Sequence, residues 1–169
     1  MAADIPGLHK HRKIAFDFDG TLVDGRSSLL IQNYIQNNDD KTYFIVTFRT
    51  PVQAKTIPME LAAHGLSSEW FATVVPMAAR LALEFDEDQR IRRNSGLPNI
   101  ERVSEAALLP GERQVLNWKG FVAKKLGATV LVDDMPAYCA MGCRRFGIRL
   151  LDANHLTEVT ESRHRIRHI

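Results

Sequence analysis

The chain lacks the features that mark several large classes of protein. Its 169 residues include only two cysteines, and they contain neither an internal repeat nor a low-complexity tract. Hydrophobic residues make up 45% of the chain and charged residues 25%, which is close to the average for globular proteins. Collagen, a long coiled coil and a wholly disordered chain are thereby excluded, and the length fits a single domain.

Long apolar runs are also missing. The longest, at residues 43–46 and 128–132, are far below the roughly 18 residues that a membrane-spanning helix needs. A polar, basic stretch at residues 9–13 leads directly into an apolar strand, without the apolar region and small-residue cleavage site of a secretory signal, so no such signal is predicted. We therefore expect a cytoplasmic location and no membrane partner.

The cysteines give little support for metal or disulfide chemistry. Cys139 and Cys143 lie in a segment predicted to be helical, at a spacing that favours side-by-side packing over a disulfide. No CxxC motif is present, so a zinc site is not predicted. We expect both residues to belong to the core.

A strong charge of one sign is absent as well, because the formal net charge is only +2. This value is too small to predict a nucleic-acid partner by itself. We interpret the local basic clusters as solvated faces or chain ends; they lie at residues 9–13, 90–93, 144–145 and 163–168.

Apolar strand patterns and helical patterns alternate along the chain. This order predicts an α/β fold, a three-layer Rossmann-like sandwich whose central parallel sheet is flanked by helices. The predicted strands are residues 13–18, 42–47, 71–75, 129–132 and 148–151. Pro58 predicts an interruption in the second helix. Residues 76–114 are predicted to form a small irregular insertion, in which 84–93 could be a lid or a solvated helix.

Polar residues stand where the predicted strands end. In a parallel sheet these ends meet at one edge, where ligands bind. We therefore expect one site there, with Lys119 at the start of the helix before the fourth strand. Its other candidate residues are Asp17, Asp19, Thr21, Thr47, Arg49, Asp133 and Asp134.

These residue types suit phosphoryl transfer. Clustered carboxylates repel one another unless a cation neutralises them, and oxygen ligands without softer partners favour Mg²⁺. A lysine and a threonine hydroxyl can bind phosphate oxygens. The simpler interpretation is that Asp-Gly forms a turn and that strand-end acids cap helices, but the combination of residues favours chemistry.

The same residues resemble a known family. DFDGT at residues 17–21, after an apolar strand, resembles the first motif of the haloacid dehalogenase superfamily. Thr47, Lys119 and the pair Asp133-Asp134 are similar to its second, third and fourth motifs, in the family's order. The resemblance covers about residues 13–151 apart from the insertion.

The resemblance implies a mechanism. Asp17 would attack phosphorus and form an aspartyl-phosphate, and Asp19 would act as general acid and then as general base. Thr47 and Lys119 would hold the phosphoryl oxygens. Arg49 stands two residues beyond Thr47, from where it could reach the substrate or remain in solvent. Mg²⁺ would be bound by Asp17, the main-chain carbonyl of Asp19, and Asp134, with Asp133 in support.

The substrate is left open. Members of the family usually carry a cap domain, but neither gap between motifs is long enough for a large one, which predicts a nearly capless enzyme. An open site suits a nucleotide, a nucleic-acid terminus or a phosphoprotein, or a neighbouring subunit of an oligomer could act as the lid. Phosphoryl transfer to another acceptor, or binding of a phosphorylated ligand without turnover, are the alternatives to hydrolysis.

Overall fold

Five parallel strands and one antiparallel strand form the central sheet, in the order β3-β2-β1-β4-β5-β6. The computed structural model describes residues 4–159. Strand β6 pairs with β5 in the antiparallel direction. The strands are β1 Lys13–Phe16, β2 Thr42–Thr47, β3 Phe71–Pro76, β4 Val130–Asp133, β5 Arg149–Asp152 and β6 Thr157–Glu158.

Helices cover both faces of this sheet, so the predicted three-layer Rossmann-like sandwich is confirmed. They are α1 Ser28–Asn37, α2 Pro51–Ala54, α3 Ile57–Ala63, α4 Ala79–Asn94, α5 Pro110–Leu126 and α6 Ala140–Phe146. Ile14 and Phe16 of β1 pack with residues of α1 and α3. Ala15 points to the opposite face and packs with residues of α5 and α6, as the alternation of side chains along a strand requires.

Residues 76–114 differ from the irregular insertion that the sequence predicted. They contain the 16-residue helix α4 and the first turns of α5, which begins at Pro110 rather than near Lys119. Proline and glycine, as at Pro110 and Gly111, often interrupt a helix. Proline is favoured in the first turn of a helix, however, because its missing N–H has no helical partner there.

A buried ion pair joins the two helices of this segment. The Arg92 guanidinium of α4 binds both carboxylate oxygens of Glu112 of α5, at 2.7 and 2.8 Å. Arg92 also donates to the carbonyl oxygens of Pro98 and Ala107 in the connection between the helices. The basic cluster at residues 90–93 is therefore not wholly solvated, contrary to expectation.

Other expectations have mixed outcomes. The helix around Pro58 is interrupted as predicted, between α2 and α3. Cys139 and Cys143 are free thiols buried in the core, also as predicted. The basic cluster at 163–168 lies outside the described residues. Within residues 4–159, no helix is both long enough and apolar enough to cross a bilayer.

Candidate active site

The carboxyl ends of β1, β2 and β4 bring three buried polar residues to one edge of the sheet. Thr47 is the last residue of β2 and Asp133 the last of β4. Asp17 follows β1, and its backbone N–H donates to the Val132 carbonyl at 2.9 Å. All three side chains are almost fully buried. The strand order β2-β1-β4 puts Asp17 on the central strand of the three.

Lys119 links two of the acids. Its Nζ lies 2.7 Å from Oδ1 of Asp17 and 2.6 Å from Oδ2 of Asp133, and its side chain is 1% exposed. The residue lies in the interior of α5 rather than at the start of a helix, so its predicted position was wrong. The cause is the earlier start of α5 at Pro110. From that interior turn the long side chain reaches the strand ends.

The environment of Lys119 keeps it charged. Burial disfavours the ammonium form, but the carboxylates of Asp133 and Asp17 outweigh burial and raise the pKa of Lys119 above its ordinary value. The Phe48 ring, 4.2 Å from Nζ, covers the ammonium on another side. A fixed positive charge therefore lies beside Asp17.

Three carboxylates at this edge could hold a metal ion. Asp17, Asp133 and Asp134 each offer one oxygen, and these oxygens all lie within 4.8 Å of one another. Burial and the adjacent Asp17 carboxylate raise the pKa of Asp134 to about 7. Since Lys119 contacts Asp17 and Asp133, Asp134 is the acid for which a further cation fits best. Hard oxygen donors of this kind suit a hard divalent ion.

The loop after β1 is shaped around Asp134. Gly20 has a φ of +75°, and a Cβ atom on it would lie 2.2 Å from Oδ2 of Asp134. Glycine is therefore required both by the left-handed backbone and by the approach of the carboxylate. Thr21 completes the connection: its hydroxyl oxygen accepts the Asp134 backbone N–H at 3.1 Å and lies 3.4 Å from Oδ2 of Asp17.

The chain turns tightly after Thr47, the last residue of β2, and Arg49 lies in this turn. The backbone N–H of Arg49 donates to Oγ1 of Thr47 at 3.1 Å, so the threonine hydroxyl is fixed as an acceptor and its own hydrogen can be donated elsewhere. Thr47 is thus the buried last residue of β2, the strand that pairs with β1.

Arg49 binds two carboxylates at once. Its Nε and Nη2 donate to Asp19 at 2.8 and 2.7 Å, and its Nη1 and Nη2 donate to Glu60 at 2.6 and 3.0 Å. These contacts raise the pKa of Arg49 above its ordinary value and lower the pKa of Glu60. The structure thus brings Arg49 to Asp19, a contact that the sequence did not predict.

Glu60 is a residue of the site that sequence reasoning missed. It lies on α3, and the Thr56 hydroxyl one helical turn earlier donates to it at 2.9 Å. The i to i+4 spacing of Thr56, Glu60 and His64 was the available signal, because it puts three polar groups on one face of a short helix.

Comparisons with known proteins give no relative. No family model matches the chain. No curated protein and no solved structure matches it either.

The arrangement has a defined chemical capacity. A buried carboxylate beside a fixed ammonium, with two further acids on one side, can bind a cation and an anionic group together. A second carboxylate, Asp19, is half-exposed and is bound by Arg49.

Proposed function

We propose that the protein is a Mg²⁺-dependent phosphomonoester hydrolase of the haloacid dehalogenase type, with Asp17 as nucleophile. The observation that carries the proposal is the position of the buried Asp17 carboxylate, bound to Lys119 at 2.7 Å and within 4.8 Å of oxygens of Asp133 and Asp134. Such a site neutralises an incoming phosphate while it holds an oxygen nucleophile beside it.

The proposed reaction has two steps. In the first, an Asp17 oxygen attacks phosphorus, the bond from phosphorus to the leaving oxygen breaks, and Asp19 gives its proton to that oxygen. In the second, Asp19 takes a proton from water, whose oxygen attacks phosphorus and releases inorganic phosphate and the Asp17 carboxylate. Lys119 and the Thr47 hydroxyl hold the phosphoryl oxygens in both steps.

The proposed metal ligands are Asp17, Asp134 and the main-chain carbonyl of Asp19. Mg²⁺ bound there would neutralise negative charge on the phosphoryl group and orient it toward Asp17. Asp133 supports this set: its Oδ1 accepts the Met135 backbone N–H at 2.8 Å, and its Oδ2 accepts from Lys119. Both oxygens of Asp133 are thus occupied by the protein, which favours Asp134 as the direct ligand.

The substrate we propose has a bulky leaving group, such as a nucleotide or a nucleic-acid terminus. Between Thr21 and Thr47 the structure has one helix, α1. Between Pro76 and Lys119 it has α4, which the Arg92–Glu112 ion pair fixes to α5. Neither segment forms a separate domain over the site, and an open site accepts a large substrate end. The substrate assignment rests on this openness alone.

Hydrolysis of an aryl phosphate with and without Mg²⁺ tests the proposal. The wild type should release inorganic phosphate only with Mg²⁺, and Asp17→Asn should be inactive while it keeps the circular-dichroism spectrum of the wild type. Activity in a clean, folded Asp17→Asn preparation would sink the assignment. Phosphate recovered on an added alcohol instead of water would show transfer rather than hydrolysis.

A further inference from the structure

The guanidinium of Arg49 donates hydrogen bonds to groups of the protein along all of its edges. Its Nε and Nη2 edge faces Asp19, and its Nη1 and Nη2 edge faces Glu60. Nη1 itself lies 3.4 Å from two further acceptors, the carbonyl oxygen of Gln53 and the hydroxyl oxygen of Thr56. All five N–H groups of an arginine are thus directed at acceptors of the chain.

This pair of contacts is more ordered than an ordinary surface ion pair. Isolated exposed pairs contribute little, but bidentate arginine–carboxylate geometry within a network is the exception. The Arg49 side chain is only 19% exposed, whereas that of Asp19 is 54% exposed. The Phe18 ring, 4.8 Å from the Arg49 Cζ, covers one face of the guanidinium. The Arg49 side chain is therefore the more restricted of the two, and its contact limits the orientations of the more exposed Asp19 side chain.

Glu60 has a firm attachment to the fold. Its helix, α3, is anchored by Ile57 and Leu61, which are both fully buried in the core beneath the sheet. The Thr56 hydroxyl fixes the Glu60 carboxylate from the same helix. The core thus sets the position of α3, while the Glu60 side chain, which is 34% exposed, is held by the Thr56 hydroxyl and by Arg49.

We propose that Glu60 is a positioning residue, which holds the Arg49 guanidinium in the orientation that fixes the Asp19 carboxylate for proton transfer to the leaving oxygen. The inference rests on the proposed function, because it assigns Asp19 its role there. The physical reason is that Arg49 and Asp19 both have several rotamers. Bidentate binding selects one rotamer of Arg49 and one rotamer of Asp19 only while Glu60 occupies the second edge of the guanidinium.

The consequence concerns leaving groups. An alkyl phosphate, such as a nucleoside monophosphate, has a basic leaving oxygen that needs a proton in the first step. The nitrophenolate group of nitrophenyl phosphate leaves as a stable anion and hardly needs a proton. If Glu60 acts through Asp19, its loss should lower kcat/KM, which includes only the steps up to release of the leaving group, on the alkyl substrate and leave kcat/KM on the aryl substrate almost unchanged.

The test compares kcat/KM, which reports the first step, on a nucleoside monophosphate and on nitrophenyl phosphate. Glu60→Gln, which keeps the size of the side chain and removes its charge, should lower kcat/KM on the nucleotide about tenfold or more, because a general acid contributes roughly 10²–10⁴-fold. Asp19→Asn should show the same selectivity more strongly. Glu60→Asp, which keeps the charge, should recover part of the loss. Glu87→Gln, which breaks an exposed pair with Arg90 on α4, is the matched control and should change neither rate.

Two results overturn the proposal. One is a Glu60→Gln loss that is equal on both substrates, which would mean a merely structural role. The other is no loss on either substrate. If the wild type with Mg²⁺ hydrolyses neither substrate, the proposed function fails and this inference fails with it. An active wild type with an unselective Glu60→Gln variant overturns the role of Glu60 alone.

A second measurement does not depend on turnover. The Nε–Hε resonance of Arg49 should be visible and protected in the wild type by nuclear magnetic resonance, because Nε donates to Asp19. It should lose that protection in Glu60→Gln but not in Glu87→Gln. A protected Arg49 resonance in folded Glu60→Gln would contradict the proposal.

Discussion

Oδ1 of Asp17 lies 2.7 Å from Nζ of Lys119, although the two residues are 102 positions apart in the chain. The contact joins the end of β1 to the interior of α5, on the side of the sheet that α5 covers. Since both groups are buried, each lies beside a partner of opposite charge. The site is therefore part of the folded core as well as a place for chemistry.

Replacement of Lys119 by Met should abolish turnover and weaken the fold. It leaves the carboxylates of Asp17 and Asp133 buried without their cation, and loss of one partner of a buried pair costs about 3–5 kcal/mol. Mg²⁺ should restore more stability to Lys119→Met than to the wild type, because it supplies the missing positive charge. Urea titrations with and without Mg²⁺ measure both effects. Equal stability of variant and wild type without metal would contradict the role of Lys119.

Gly20→Ala, compared with a control, separates two effects of an added Cβ: the cost of a left-handed backbone and the displacement of the Asp134 carboxylate. Alanine at φ +75° costs about 1–2 kcal/mol, and its Cβ would also displace the Asp134 carboxylate, 2.2 Å away. Gly96→Ala is the matched control, since Gly96 has a φ of +66° and nothing within 4 Å of its added Cβ. Thermal unfolding should report a similar backbone cost in both variants. Activity and Mg²⁺ affinity should fall only in Gly20→Ala, and a parallel fall in Gly96→Ala would refute the interpretation.

The Arg92–Glu112 pair should stabilise the protein in a pH-dependent way. Burial alone would raise the pKa of Glu112, but hydrogen bonds from Arg92 and from the Leu109 backbone outweigh it and lower this pKa. The stabilisation is therefore complete above the unfolded pKa of about 4.3 and is lost as the pH falls below it. Glu112→Gln should be about 3 kcal/mol less stable than the wild type at pH 7.

Urea unfolding at several pH values checks this expectation. The difference between wild type and Glu112→Gln should shrink as the pH falls through the acid range. Glu87→Gln, whose ion pair is exposed, should differ little from the wild type at any pH. A gap between wild type and Glu112→Gln that stays constant with pH would show that packing, and not charge, is responsible.

The layers of the fold and most acids of the site were predictable from the sequence for one reason. A strand buried on both faces needs an uninterrupted apolar run, as in residues 42–47, and the polar residues that end such runs must meet at one edge of a parallel sheet. Strand positions and the contact among Asp17, Asp133 and Asp134 follow from these local patterns.

The rest depended on contacts between distant residues. Helix α4 has charged residues over much of its surface, so its pattern carried little signal, and Arg92 is buried only because Glu112 lies opposite it. Strand β6 is two residues long and exposed, too short for any strand pattern. Glu60 reaches the site because α3 packs against the sheet. The i to i+4 spacing of Thr56, Glu60 and His64 indicates a polar helix face, but it does not indicate where that face lies in the fold.

Asp134→Ala tests the metal ligand with the smallest change to the rest of the site. It should raise the Mg²⁺ concentration needed for half-maximal activity, because one direct oxygen ligand is replaced by water. It should also reduce the rise in melting temperature that Mg²⁺ gives the wild type. Asn154 donates to the Asp134 carbonyl, not to its carboxylate, so the backbone there should keep its position. An unchanged Mg²⁺ requirement would remove Asp134 from the ligand set.

Detection of phosphate on Asp17 tests the central claim most directly. The Asp19→Asn variant should accumulate the intermediate, because an aryl phosphate needs no acid in the first step whereas the second step lacks its base. The reaction is stopped with acid, the protein is digested, and the peptide that contains residue 17 is sequenced by mass spectrometry. The account predicts one phosphoryl group on Asp17, dependent on Mg²⁺ and absent when Asp17 is also replaced by Asn. Turnover without any phosphoryl group on Asp17, or with one on a different residue, would contradict it.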